Sequence, residues 1–307
     1  MNQRALVIGE ALVDVVHAAD GTVVEHPGGS PANVALGLAR LERTAELATW
    51  FADDARGELV REHLTASRVH LVPGSDGAER TSTAVATLAA DGGASYVFDL
   101  TSHVPEVVLD DSIAVLHTGS IAATLQPSAD EITDLCAAGR EHATISYDPN
   151  VRPTIMGEPD AVRRRIERLV AGADVVKVSD EDIAWLYPGQ DVTDAVRRWA
   201  AAGPALVVLT RGASGSIGLT SAGVEVVVPA PLVRVIDTVG AGDSYMTGLL
   251  DGLWSAGLLG ADHREELHAL DAETVQAVMT HAARIAAIVV SRAGANPPTR
   301  NELEDPA

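Results

Sequence analysis

Cysteine, lysine and aromatic side chains are scarce in this chain, and each scarcity excludes something. The one cysteine, Cys136, cannot close an internal disulfide, so the fold has to be held by its core. Basic residues number 22 against 43 acidic ones, for a formal net charge of −21. That balance argues against partners gripped through phosphate neutralisation, so neither nucleic acid nor an anionic membrane surface is expected. Every apolar run is broken by charge or glycine before it reaches the roughly 18 residues that span a bilayer. The opening MNQRALVIGEALVDVV has neither the basic start nor the small-residue cleavage site of a secretion signal, and a cytoplasmic setting is expected. Lys177 is the only lysine, which reads as coding bias without chemical weight. No G-x-x-x-x-G-K-[ST] phosphate loop occurs.

What is present is a chain of 307 residues, 47% hydrophobic, enough to bury a substantial core. Short β-branched runs alternate with longer alanine-rich amphipathic stretches, the rhythm of parallel strands joined by crossover helices. Strands are predicted over 5–9, 45–49, 115–118, 144–147, 175–178 and 205–210. Helices are predicted over 31–41, 56–66, 129–141, 159–171, 192–202, 243–256 and 272–290. The expected fold class is therefore α/β, a doubly wound, mainly parallel sheet flanked by helices, as one domain over 1–307. In such folds ligands sit at the carboxyl ends of the strands.

Two insertions, at about 12–26 and 82–102, break this rhythm and read as antiparallel hairpins. The first turns at Asp20-Gly21 and the second around Asp91-Gly92-Gly93. Together they would build a small β-sheet lid over a strand-end cleft, excluding water from a transferable group. A surface ribbon without a catalytic role is the alternative. The uncovered face or edge of such a sheet predicts a homodimer.

The most informative stretch is Asp237-Thr238-Val239-Gly240-Ala241-Gly242-Asp243, followed by an apolar helix. Small residues at 240 to 242 let a ligand approach the backbone, and their N–H groups at a helix start can converge on an anion. Asp243, on the first turn, could accept a hydroxyl proton beside that anion hole. A merely capped helix start is the plain alternative. A dinucleotide fingerprint is excluded because Tyr245 stands where its third glycine would be.

The sequence resembles the PfkB family of carbohydrate kinases, with a ribokinase-like fold, over nearly its whole length. The stretch ending in Asp243 is similar to the family's C-terminal signature, which implies that Asp243 is the base and Gly240, Ala241 and Gly242 the anion hole. Gly28-Gly29-Ser30-Pro31-Ala32-Asn33 resembles the N-terminal signature, implying sugar contacts from Gly28, Gly29 and Asn33. Asp14 matches an aspartate that binds sugar hydroxyls, and a carboxylate, an amide and exposed backbone amides are the groups that pair with hydroxyls. Asp148-Pro149-Asn150-Val151-Arg152 is similar to fructokinase-like members, and Arg152 could reach a phosphate or the sugar. Thr210, Gly212 and Gly215 resemble the nucleotide loop.

One departure stands out. Where the family has Asn-x-x-Glu, this chain has Ser179-Asp180-Glu181-Asp182, so Asp182 is left to order magnesium through water. The resemblance implies ATP and Mg2+, and Asp237 matches the aspartate of a monovalent-cation loop, which brings in K+. Fructose ranks first as substrate, ribose second, and 2-keto-3-deoxygluconate or a nucleoside stays open. Phe98, one of only two phenylalanines, is a candidate sugar contact from the lid, with core packing as its rival role. Two other classes compete: a catalytically silent sugar-binding regulator, against which the intact Asp243 counts, and a dinucleotide-dependent oxidoreductase, for which Gly9-Glu10-Ala11 supplies no fingerprint.

Overall fold

The structure, a computed structural model, describes residues 3–18, 20–88 and 94–304. The turn expected at Asp91-Gly92-Gly93 lies outside the described residues. Among the described residues there are thirteen strands. In chain order they are β1 (Arg4–Ile8), β2 (Leu12–His17), β3 (Val23–Gly28), β4 (Thr44–Ala48), β5 (His70–Leu71), β6 (Thr83–Leu88), β7 (Ala94–Asp99), β8 (Ile113–Gly119), β9 (Thr144–Asp148), β10 (Val175–Ser179), β11 (Leu206–Thr210), β12 (Ser216–Thr220) and β13 (Glu225–Val228).

Nine of them form one sheet in the order β13-β12-β11-β10-β9-β8-β1-β4-β5. From β11 to β5 every pairing is parallel, whereas β12 runs antiparallel to both its neighbours. Strands β8 and β9 are buried at every residue, as a parallel sheet covered on both faces requires. Because side chains alternate across a strand, two cores result. Val7, Val115, Val175 and Val208 pack on one face with Met246, Leu249 and Val278, from the helices Ala241–Ser255 and Ala272–Val290. Leu6, Leu116, Ile145, Val176 and Leu209 face the other side against Ile132, Ile166 and Trp199. Among the described residues no helix is long and apolar enough to cross a membrane.

Close helix packing brings distant segments to one place. A Cβ on Gly37 would lie 2.7 Å from Thr247 Oγ1, and one on Gly248 would lie 2.5 Å from Ala282 Cα. Small residues at these crossings therefore let the helix Ser30–Arg40 and the helix Ala272–Val290 nest against Ala241–Ser255.

The four remaining strands form the smaller sheet, in the order β3-β2-β6-β7. Both expected hairpins are there, β2 with β3 and β6 with β7, and the parallel pair β2 and β6 joins them. The sequence left β5, β12 and β13 unmarked, along with the short helices Pro153–Met156, Asp180–Leu186, Arg264–His268 and Arg300–Glu304.

Candidate active site

Asp243 occupies the first turn of the helix Ala241–Ser255, which starts at Gly240 in the left-handed conformation, φ 74°. A side chain there would be strained, and its Cβ would come within 2.6 Å of Ala295 Cβ. Asp243 is only 7% exposed. Ser30 Oγ donates to its Oδ1 at 2.7 Å, and Asn33 Nδ2 donates to its Oδ2 at 2.7 Å. Asn150 Nδ2 approaches Oδ1 at 3.4 Å. The two glycine-containing signatures, more than two hundred residues apart, thus meet at one carboxylate, and the strand end after β9 joins them. Ser30 and Asn150 carry no role in the sequence prediction; what marked them is only that each lies inside a motif whose neighbours do.

Beside Gly242 lies a buried ion pair that the sequence did not indicate. Lys177 Nζ, on β10, is 2.9 Å from Asp148 Oδ2 on β9, with both side chains out of solvent. The same nitrogen would stand 3.1 Å from a Cβ built on Gly242. The single lysine therefore has a definite place, which corrects its dismissal as coding bias. Burial works against its ammonium, but Asp148, Asp182 and Asp243 together hold its pKa above the usual lysine value. Burial also pushes the Asp148 carboxyl up to about 6, opposed by Lys177. One strand further, His117 has Nδ1 2.9 Å from Ser146 Oγ, and burial, reinforced by Lys177, depresses the ring to about 3.

On the side expected to take the sugar, Asp14 lies in a row across one face of the small sheet: His26, Asp14, Ala84 and Phe98 pair in register. Asp14 and Phe98 thus share a face, and the Phe98 ring lies nearly parallel to Tyr96, centroids 6.2 Å apart. At Gly28 a Cβ would stand 2.5 Å from Asp14 Oδ2, so a side chain there would push the Asp14 carboxylate aside. Gly29, φ 113°, comes so close to Glu10 that a Cβ would meet its carbonyl oxygen at 2.4 Å. Burial raises the Asp14 pKa, and His26 and Arg152 counter it.

Glu10, which the sequence offered only as part of an absent fingerprint, accepts from the Ala122 amide at 3.1 Å. Burial raises its pKa as well, with the Ala122 amide and Arg152 among the opposing causes. Arg152 is exposed, and its Nη1 donates to Asn150 Oδ1 at 2.6 Å.

Thr210 ends β11, Gly212 opens a short 3-10 turn and Gly215 follows it. A Cβ on Gly212 would meet nothing within 4 Å, so that backbone is open to a flat ligand, whereas one on Gly215 would strike Val228 O at 2.2 Å. The expected metal residues fit direct chelation poorly. Asp182 closes a capping box: its Oδ2 accepts from Ser179 N at 3.1 Å while Oδ1 accepts from Val151 N at 2.8 Å. Asp237 accepts from Val239 N at 3.0 Å and from Gly294 N at 2.8 Å, and these amides hold its pKa below the usual carboxylate range. No group of three or more His, Cys, Asp or Glu side chains able to hold a metal occurs among the described residues.

A family profile described as pfkB family carbohydrate kinase matches residues 2–302. A fructokinase of Klebsiella pneumoniae is 32% identical over 267 residues, covering 84% of this chain and 87% of its own. A fructokinase of Escherichia coli is 31% identical, with 99% of each chain covered. Among solved structures, a double mutant of the Vibrio cholerae fructokinase with fructose, ADP and potassium bound is similar, with a TM-score of 0.77, 28% identity and coverage of 96% of this chain and 94% of that one.

Proposed function

The chain belongs to the pfkB family of carbohydrate kinases, and from that premise we propose that it moves the γ-phosphoryl group of ATP onto a hydroxyl of fructose, with Asp243 as the base. The observation that carries this reading is the convergence on Asp243. A buried carboxylate at a helix start is held by Ser30 and Asn33 from the sugar-side helix and lies next to the Gly240–Gly242 backbone.

The chemistry follows from that placement. The sugar hydroxyl oxygen attacks phosphorus, its proton passes to the Asp243 carboxylate, and the bond from phosphorus to the ADP oxygen breaks. The amides at 240–242 stabilise charge on the group in transit, and holding both substrates in one cleft supplies the alignment. No covalent enzyme intermediate is needed. Asn33 bonds Asp243 in the structure, and a sugar hydroxyl arriving at Asp243 would compete for that carboxylate oxygen, so Asn33 is placed to pass its own donors to the sugar. Asp14, Gly28, Gly29, Arg152 and Phe98 form the rest of the sugar side; Thr210, Gly212 and Gly215 lie along the nucleotide. Magnesium arriving with ATP would offset phosphate charge, and with both Asp182 oxygens engaged by amides its protein contacts run through water at most. Asp237 is the residue through which K+ would act. The small sheet, from about 12–26 and 82–102, serves as the lid, and its outer surface takes a second copy of the chain. A cytoplasmic setting suits an ATP-consuming enzyme.

Fructose ranks ahead of ribose and 2-keto-3-deoxygluconate because the curated relatives are fructokinases and Asp148-Pro149-Asn150-Val151-Arg152 is similar to such members. A coupled ATP-consumption assay over pentoses, hexoses, keto acids and nucleosides tests this. The highest kcat/KM is expected with fructose. ATP consumption with none of them would leave the silent regulator as the better account.

A further inference from the structure

We propose that Lys177 is a positioning residue for phosphoryl transfer, its ammonium fixed by Asp148 against the back of the anion hole so that permanent positive charge lies where negative charge gathers. The inference rests on the kinase reading above and adds a residue to it. Lys177 is 3% exposed and Asp148 1% exposed, so neither side chain serves solubility. Their 2.9 Å ion pair crosses between β10 and β9, and the Nζ position 3.1 Å from the Gly242 Cβ site puts the ammonium against the anion-hole glycine itself.

Stability alone gives no reason for such a pair. Removing two charges from water costs several kcal/mol per ion, and well-packed apolar residues in their place are often as stable. The pair is also incompletely satisfied, since Asp148 Oδ1 is buried without a hydrogen-bond partner. A charge held in a dry site, by contrast, acts more strongly on a nearby phosphoryl group than the same charge in water, and needs no reorganisation as the reaction proceeds. Surrounding groups favour this use. Asp148, Asp182 and Asp243 keep the ammonium protonated, and His117 beside it stays neutral, adding no competing charge. Gly242 fits the same picture, because a methyl group there would press on Nζ and shift it by a few tenths of an ångström.

The test pairs Lys177→Met with the charge-balanced Lys177→Met/Asp148→Asn, since the single change strands a buried carboxylate and threatens folding. Thermal melting identifies the folded preparations. In the double variant, sugar-dependent turnover should fall by about 10²-fold, the scale of a lost transition-state donor. Affinity for ADP with aluminium fluoride, a planar mimic of the group in transit, should fall by a similar factor, while affinity for ADP alone stays within about threefold. A folded double variant that turns over within about threefold of the parent, or that loses ADP and ADP–aluminium fluoride affinity equally, overturns the inference and leaves the kinase reading standing. A parent protein that consumes no ATP with any sugar overturns the kinase reading and this inference with it.

Discussion

Single residues show where local sequence carries the site and where it does not. Gly28 and Gly29 are legible because their reason is local: the backbone at 28 lies against Asp14 on the paired strand, and that at 29 turns with φ 113°. Asp243 is legible because the glycine-rich helix start and the carboxylate lie within four consecutive residues. Lys177 and Ser30 are not, since their meaning depends on contacts with residues far away along the chain, Ser30 to Asp243 being 213 positions apart. His117 is the clearest case of a residue that only the fold explains, and it carries a prediction. In the unfolded chain its ring titrates near 6.5, whereas burial lowers it to about 3 in the fold. Between those values the unfolded state binds the extra proton, so the stability this residue contributes is complete above pH 6.5 and is lost as pH falls toward 3. Urea unfolding at pH 7 and pH 5 should show the parent losing about 2 kcal/mol more than His117→Gln over that interval, the raised Asp148 being common to both. Equal losses would contradict a neutral buried ring.

Among elements, the seven helices expected from periodicity are all present, with ends shifted by at most two residues. They were legible because each runs two turns or more, long enough for a helical pattern to show. The helix Asp180–Leu186 is shorter than two full turns and offers no period to read; only its Ser179 and Asp182 capping box announces it. Asp182, expected to order a metal through water, also fastens this helix start and the Val151 amide. Both hairpins of the small sheet were readable from their turns, but the parallel pairing of β2 with β6, seventy positions apart in register, was not. A buried network was equally hidden. Asp251, in the helix that carries Asp243, binds Arg43 Nε at 2.7 Å, Arg300 Nη2 at 2.6 Å and His281 Nε2 at 2.8 Å. Removing Asp251 would strand the Arg43 and Arg300 guanidinium groups in a partly buried site, so this network ties the helix that carries Asp243 to three neighbouring segments.

For the whole molecule, the small sheet is the part whose surface remains unexplained by a lone chain. Val23, Tyr96 and Val97 are 51%, 60% and 66% exposed, and β3 and β7 are its two edges. Apolar surface of this kind on edge strands is commonly covered by another chain. Equilibrium sedimentation at micromolar concentration is expected to give twice the chain mass of 31.9 kDa. The single-chain mass alone would contradict the dimer.

One carboxylate, Asp243, is the meeting point of both signatures, and Asp243→Asn tests its role most directly. The change keeps the side chain's shape and removes its ability to take a proton. Single-turnover phosphorylation of fructose, with stability and both substrate affinities measured on the same preparation, should show the rate falling by about 10²-fold or more while affinities change far less. If Asp243 only caps its helix, asparagine would cost about 1 kcal/mol or less of stability and leave the rate nearly intact. A folded Asp243→Asn protein that binds ATP and fructose and phosphorylates at close to the parent rate would contradict the account.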